Sequence, residues 1–298
     1  MSTTTSPLAP ASSSRGNEFT TFAEDNFSTS GASGLYDRAR PSYPQPAFDK
    51  ILSLLKPESN STVVELGAGT GLFTRGFLET AISSKQHQIK RLIAVEPSRG
   101  MRQGWNEKSN VAELEQNGIE ASIEDGLFDK IPVADTTADL VVVAQAFHWV
   151  GKDGESSIRD IARVLKPQGT LALIWNFEDR SVPWVAQLRD AYEQHEAGTP
   201  QARLGWWKSV FDTQFYQDTY EPPQIEKYHR ELPTTEQGVV DRILSKSYIT
   251  ALDEAEQDRI AHEMRQIVQR GQGKQWIEKE QGTFHYPYNT ELYLIRKA

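Results

Sequence analysis

The chain contains no cysteine, which removes disulfides, thiolate metal sites and cysteine nucleophiles together and fits a reducing compartment. It also lacks any apolar run near the roughly 20 residues needed to span a bilayer, and its start has no apolar signal core. Positive charge is in deficit: 32 Lys and Arg stand against 41 Asp and Glu, a formal net charge of −9. Affinity for nucleic-acid backbones comes largely from Lys and Arg, so nucleic acid is not the expected partner. Histidine is sparse. Besides His148, only His87, His195, His229, His262 and His285 occur, scattered without metal-ligand spacing, so no metal is expected. These absences read as a soluble, cytoplasmic protein without a membrane partner. They leave the oligomeric state open.

With 298 residues, 38% of them hydrophobic and 24% charged, the chain has the material for a packed core. No internal repeat is visible. Residues 1–21 are expected to be a disordered tail, since their start is Ser-, Thr- and Pro-rich. Residues 22–46 are aromatic and turn-rich, 47–177 alternate helix-like with strand-like stretches, and 178–298 read as mainly helical, rich in Trp and Tyr, with a short extended end.

The middle zone carries the fold signal. Phe48, Ile51, Leu52, Leu54 and Leu55 recur at helical spacing before Pro57. Apolar strands are predicted at 62–66, 91–95, 138–144 and 170–175, with a weaker one near 120–123. Helices are predicted at 72–82, through Met101 and Trp105, and at 158–165, and Pro167-Gln168-Gly169 reads as a turn. Apolar strands alternating with helices imply an α/β fold: a doubly wound, mostly parallel sheet covered on both faces, here with a helical C-terminal cap.

Between the first strand and its helix runs Glu65-Leu66-Gly67-Ala68-Gly69-Thr70-Gly71. Open α/β sheets bind ligands at such a strand end, and glycine lets a ligand lie against the main chain where a Cβ would intrude. The dinucleotide pattern Gly-x-Gly-x-x-Gly does not fit, because the third glycine comes one residue early. Glu96 ends the second strand, and a carboxylate there can accept both hydroxyls of a ribose. Nicotinamide enzymes place an acid similarly, so Glu96 alone does not choose the cofactor.

Taken together, these motifs resemble those of the class I methyltransferases, within them the methyltransferase-11-like small-molecule enzymes. Glu65-x-Gly67-x-Gly69-x-Gly71 is similar to their first motif, and Glu96-Pro97-Ser98-x-x-Met101 to their second. Ile131-Pro132-x-x-Asp135 with Ala138-Asp139-Leu140-Val141 is similar to their loop and fourth strand. Gln145-Ala146-Phe147-His148-Trp149, the stretch at 36–44 and Ser245-Lys246-Ser247-Tyr248-Ile249 resemble a fungal branch with trans-aconitate and cantharidin methyltransferase relatives. The resemblance spans 22–298. It implies a Rossmann-like core at 47–177 that binds S-adenosylmethionine, a cofactor-covering segment at 22–46 and an acceptor-pocket cap at 178–298 that completes the sheet.

Position by position, the resemblance implies that Glu65 and the Gly67 carbonyl face the cofactor's amino group, with Ala68, Gly69 and Gly71 forming the cradle. Glu96 and Pro97 hold the ribose end, and Met101 and Phe128 lie by adenine. Gln145, Ala146 and Phe147 line the methionyl end. Where many relatives carry an adenine-reading acid, this chain has Leu127, flanked by Asp125 and Asp129. In the covering segment, Arg40 could pair with the cofactor carboxylate and Tyr36 cover the sulfonium face; alternatively, 40–44 is an ordered turn packed on the first helix.

Methyl transfer from a sulfonium is a direct displacement governed by alignment. A base is needed only for a protonated nucleophile, and a carboxylate needs none. His148 is the candidate base, set against a wall residue packed beside Phe147 and Trp149. Trp149, Asn176, Trp207, Arg242, Tyr248 and Tyr288 are candidate acceptor contacts, with Arg242 gripping an anion. The expected function is methylation of a small molecule, on oxygen and plausibly on a carboxylate. The competing readings are a catalytically silent cofactor-binding regulator, a nicotinamide-dependent dehydrogenase, and RNA or protein methylation.

Overall fold

The computed structural model describes residue 34 and residues 37–86 and 88–298. The expected tail at 1–21, most of 22–36 including Tyr36, and His87 lie outside the described residues.

Helix α1 (Gln45–Leu52) begins after Pro44 and carries Pro46 in its first turn, where a missing N–H leaves no intrahelical bond unmade. The alternating core follows as β1 (Ser61–Leu66), α2 (Leu72–Ser84), β2 (Ile89–Val95), α3 (Arg99–Lys108), α4 (Val111–Gln116), β3 (Glu120–Glu124), β4 (Ala138–Ala144), α5 (Glu155–Val164) and β5 (Leu165–Glu178). Strands β3, β2, β1, β4 and β5 pair in that order and all in parallel. From β1 the chain order runs outward to β2 and β3 on one side and to β4 and β5 on the other, so the switch in strand order falls between β1 and β4, beside the glycine loop and where open sheets bind ligands.

Alternation along the strands sorts side chains to two faces. Val63, Leu92, Ala94, Leu140, Val142 and Ile174 pack with Phe48, Phe77 and Trp105 on one face. Val64, Leu66, Ile93, Val141, Val143 and Leu173 pack with Ile158 and Ile161 on the other. The predicted turn at 167–169 is absorbed within β5. Its register on β4 jumps from Ala138 opposite Leu165 to Leu140 opposite Thr170, and Gln168 takes a φ of +66° there.

The C-terminal part contains more strand than its composition suggests. After α6 (Pro183–Glu193) and α7 (Gln214–Thr219) come β6 (Gln224–Thr234), α8 (Glu236–Leu244), α9 (Ser247–Thr250), α10 (Glu254–Arg270), β7 (Trp276–Glu278) and β8 (Thr283–Arg296). Strand β8 runs antiparallel beside β5, and β6 antiparallel beside β8, extending the sheet to eight strands with β7 off the main path. Helices α6, α8 and α10 form a separate apolar cluster through Trp184, Leu188, Ile243 and Met264, against Phe284 and Tyr286 of β8. Among the described residues, no helix is long and apolar enough to cross a membrane.

Candidate cofactor and acceptor site

The loop after β1 is tied down by its own backbone. Gly67 N–H donates to the Val95 carbonyl at 2.8 Å and Gly71 N–H to the Ala68 carbonyl at 3.0 Å. Gly67 has a φ of +67°, and a Cβ there would sit 2.6 Å from Cβ of Ala146. Gly71 has a φ of +82°, and its Cβ would sit 2.7 Å from the Trp105 ring. Both positions therefore demand glycine on conformation and on space. At Gly69 a Cβ would meet nothing within 4 Å, so the loop's middle faces open space.

Glu96 joins this loop to the next helix. Its Oε2 accepts from Gly69 N–H and its Oε1 from Ser98 N–H, each at 2.9 Å. Ser98 caps α3 by accepting from Met101 N–H, which sets buried Met101 on the same edge. Arg102 donates to the carbonyls of Glu96 and Pro97 at 2.7 and 2.5 Å. Phe128 packs edge-on against Phe147, with ring centroids 6.1 Å apart, and its ring lies 3.5 Å from where a Gly67 Cβ would be.

Glu65 is buried. Its Oε2 accepts from the Thr74 hydroxyl at 2.5 Å, and Thr74 Oγ1 accepts from Trp105 Nε1 at 3.0 Å. Burial pushes its carboxyl from the ordinary 4.5 up to about 8, against the Thr74 hydrogen bond and the charge of Arg75. A folded-state value above the unfolded one gives stability that is full below about pH 4.5 and lost as pH rises through 8. Glu65→Gln cannot ionise, so its Tm relative to the native protein should rise between pH 5 and pH 9, by about 2–4 °C per kcal/mol. A Tm difference that stays constant with pH, read by differential scanning calorimetry, would contradict this.

Directly after β4 comes Gln145, a non-glycine residue with a φ of +60°. Such backbone costs on the order of 1–3 kcal/mol and persists only where its surroundings impose it. Here Gln145 N–H donates to the Ile174 carbonyl at 2.8 Å and its Nε2 to the Asn176 carbonyl at 3.3 Å.

The segment before α1 lies across this edge. Asp37 accepts from Thr70 Oγ1 at 2.8 Å and from Arg75 at 2.7 Å, with Lys108 at 3.5 Å. Burial works against ionising Asp37, but the hydrogen bonds from Arg75 and Thr70 outweigh it and hold the carboxyl below its ordinary range. Arg40 donates to Oγ and O of Ser245 at 3.2 and 2.9 Å, reaching the C-terminal part. Asn176 Nδ2 donates to the Ser42 carbonyl at 3.1 Å, while its Oδ1 accepts from Thr290 and Arg230.

Two adjoining cavities result. One, of about 30 Å³, lies against the loop and is lined by Arg40, Tyr43, Glu65, Gly67, Ala68 and Gln145 among others. The second, of about 130 Å³, shares Arg40 and Gln145 and extends past His148, Trp149 and Asn176 to Arg242, Lys246 and Tyr248. Trp207 and Tyr288 are not among the residues lining either cavity. Trp207 stacks on Trp175 at 4.4 Å in the core, and Tyr288 is buried on β8 next to Arg242. His148 is buried and its Nδ1 accepts from Trp175 Nε1 at 3.3 Å. Burial, then the charge of Arg40, pushes its imidazole down to about 3.

Sequence reasoning passed over Asp37, Thr74, Glu178 and Arg230. Glu178, at the end of β5, accepts from Arg242 at 2.8 Å and Lys246 at 3.2 Å. Nothing in the linear order of residues 178, 242 and 246 signals that meeting. Among the described residues, no group of three or more potential metal ligands occurs.

The sheet order, the loop and its position define the Rossmann-like fold of class I methyltransferases. Residues 64–173 match the family described as Methyltransferase domain. An uncharacterized methyltransferase of Schizosaccharomyces pombe is 33% identical over 163 residues, and one of Mycobacterium bovis is 36% identical over 163 residues. Each alignment covers 55% of this chain, and the chain spans 58% of the length of either relative. Phosphoethanolamine N-methyltransferase 2 of Haemonchus contortus, solved with S-adenosyl-L-methionine, superposes with a TM-score of 0.51 at 13% identity, covering 94% of this chain and 60% of that one. A candidate methyltransferase from Bacillus halodurans gives a TM-score of 0.50 at 15% identity, covering 84% and 98%. Both structures bear on the fold alone.

Proposed function

We propose that the protein is an S-adenosylmethionine-dependent methyltransferase that methylates an oxygen of a small acidic molecule. The observation that carries this reading is the pair of adjoining cavities, one against the glycine loop and one lined by Arg242 and Lys246, meeting at Arg40 and Gln145. The cofactor, when bound, supplies an electrophilic methyl group on a sulfonium. The residues present suit it. Gly69 faces open space, the Glu96 carboxylate stands at the end of β2 where a ribose would lie, and Glu65 and Arg40 flank the smaller cavity as partners for an amino group and a carboxylate. Of the other residues that the resemblance assigns to the cofactor, Ala68 lines the smaller cavity, while Gly71, Pro97, Met101, Phe128, Ala146 and Phe147 line neither.

The acceptor reading follows from charge. Arg189 and Arg203 in the larger cavity are already engaged by Glu193 and Glu196. With Arg40 turned to the cofactor's carboxylate, Arg242 and Lys246 face that cavity with Glu178 as the remaining carboxylate. A carboxylate acceptor would correct that surplus and arrives already deprotonated, so no base is required. His148 fits this economy as a neutral wall residue whose Nδ1 is occupied.

The test is incubation of the full chain with methyl-labelled cofactor and a panel of small di- and tricarboxylates. Label should appear in methyl esters that mild alkali releases as methanol. Alkali-stable label would indicate another methylated atom. Failure of S-adenosylhomocysteine to bind would remove the cofactor reading altogether.

A further inference from the structure

Four residues apart in sequence, Arg242 and Lys246 converge on one buried carboxylate. Arg242 is 5% exposed and Glu178 6% exposed in their side chains. Two buried cations on one anion leave a local charge of +1 in a region where water cannot screen it. Glu178 has little capacity to spare, since its Oε2 also accepts from Tyr192 at 3.2 Å. Arg242 Nε and Nη1 lack a well-aligned hydrogen-bond partner among the described residues. Lys246 Nζ lies 4.1 Å from the centre of the Tyr192 ring, a cation–π seat that orients an ammonium without consuming its protons. Both cations line the larger cavity.

We propose that Lys246 and Arg242 together bind the carboxylate of the acceptor, and that Lys246 takes up a proton as the acceptor enters. This rests on the reading of the larger cavity as the acceptor site. The two cations differ in the property that matters. A guanidinium stays charged at any ordinary pH, whereas an amine can give up its proton when buried. In the free protein, burial and then the charge of Arg242 push the Lys246 ammonium down to about 7, with Arg40 acting in the same direction and Glu178 opposing.

The neighbours do not titrate in its place. Glu178 is held well below the carboxylate range: burial would raise it, but the charges of Arg242 and Lys246 prevail. Tyr192, Tyr248, Tyr286 and Tyr288 are all raised, first by burial, and stay neutral. Arg189 is raised and stays charged, and Glu193 is bound to it. Glu196 is raised by burial but is paired with Arg203. Glu65 does titrate near neutrality in the adjoining cavity, so the measurement is made on protein already saturated with S-adenosylhomocysteine.

An incoming carboxylate replaces repulsion by attraction at Nζ and raises its affinity for a proton. By linkage, binding then draws in a proton above pH 7, and acceptor affinity falls as pH rises, by about tenfold per pH unit for one fully linked proton. The probe is succinate, titrated calorimetrically from pH 6.5 to 8.5 in two buffers of different ionisation enthalpy, with succinamide as the neutral control. The native protein should show that decline, with uptake approaching one proton. Lys246→Arg should bind succinate with no pH slope and no uptake, and Lys246→Met should bind at least about tenfold more weakly at pH 6.5. The proposal is overturned by pH-independent succinate binding, by a slope that survives in Lys246→Arg, or by absence of succinate binding. If succinamide binds as well as succinate while S-adenosylhomocysteine binds normally, the proposal falls and the methyltransferase reading stands. If S-adenosylhomocysteine itself does not bind, the underlying reading falls.

Discussion

Replacing Glu178 by alanine should destabilise the protein by about 3–5 kcal/mol, the typical cost of removing one partner from a buried ion pair. The carboxylate is the shared acceptor for Arg242 at 2.8 Å, Lys246 at 3.2 Å and the Tyr192 hydroxyl at 3.2 Å. Without it, two cations and a hydroxyl stay buried with nothing negative between them. The two cations will respond differently. Lys246, already pushed down to about 7, can lose its proton and relieve its share, whereas Arg242 cannot. Most of the loss should therefore trace to Arg242, and the double variant Glu178→Leu/Arg242→Met should recover much of it. Urea denaturation of the native protein and both variants provides the check. A single-variant loss under about 1 kcal/mol would show that the cluster is better hydrated than its burial implies. pH adds a second signature. Glu178 is held below its ordinary range because Arg242 and Lys246 overcome burial, so its contribution is present at neutral pH and disappears as pH falls below the ordinary carboxylate range. The native protein and Glu178→Ala should converge in stability in acid.

How legible the molecule is from its sequence depends on how local each signal is. The core strands were readable because parallel strands buried on both faces are continuous apolar runs: residues 138–144 form β4 as expected. The glycine loop was readable because backbone geometry and close approach both demand glycine at fixed places. Strand β6 was not. Its burial alternates between exposed and half-buried along Gln224–Thr234, as suits a sheet edge, so its apolar content falls below what periodicity can detect. The C-terminal zone consequently read as mainly helical, although β8 runs for 14 residues. The larger cavity was partly readable. Arg242 and Tyr248 were expected there and line it. Trp207 was expected on its size and aromatic character, but size also favours the core, where it stacks on Trp175. Lys246 stood inside a recognised motif, yet its meaning depends on Glu178, which the chain delivers from the far end of another strand.

Glu96→Ala should lower affinity for S-adenosylhomocysteine by about 100-fold or more, with a smaller effect on folding. The carboxylate has two tasks, and they predict different readouts. Structurally, its oxygens receive Gly69 N–H and Ser98 N–H at 2.9 Å each, and hydrogen bonds to a charged group contribute about 1.5–3 kcal/mol apiece. Alanine leaves both donors without this acceptor, but Gly69 borders open space where water can replace it, which limits the cost to stability. In cofactor binding, the same carboxylate would supply acceptors for two ribose hydroxyls, and water offers no oriented substitute. Glu96→Gln separates the tasks. One amide oxygen can still serve one donor, while the amide nitrogen opposes the other, so Glu96→Gln should fall between the native protein and Glu96→Ala in cofactor affinity while matching Glu96→Ala in stability more closely. Calorimetric titration with S-adenosylhomocysteine, alongside urea denaturation without it, measures both axes. Unchanged affinity in Glu96→Ala would move the ribose away from this strand end and take the proposed cofactor orientation with it.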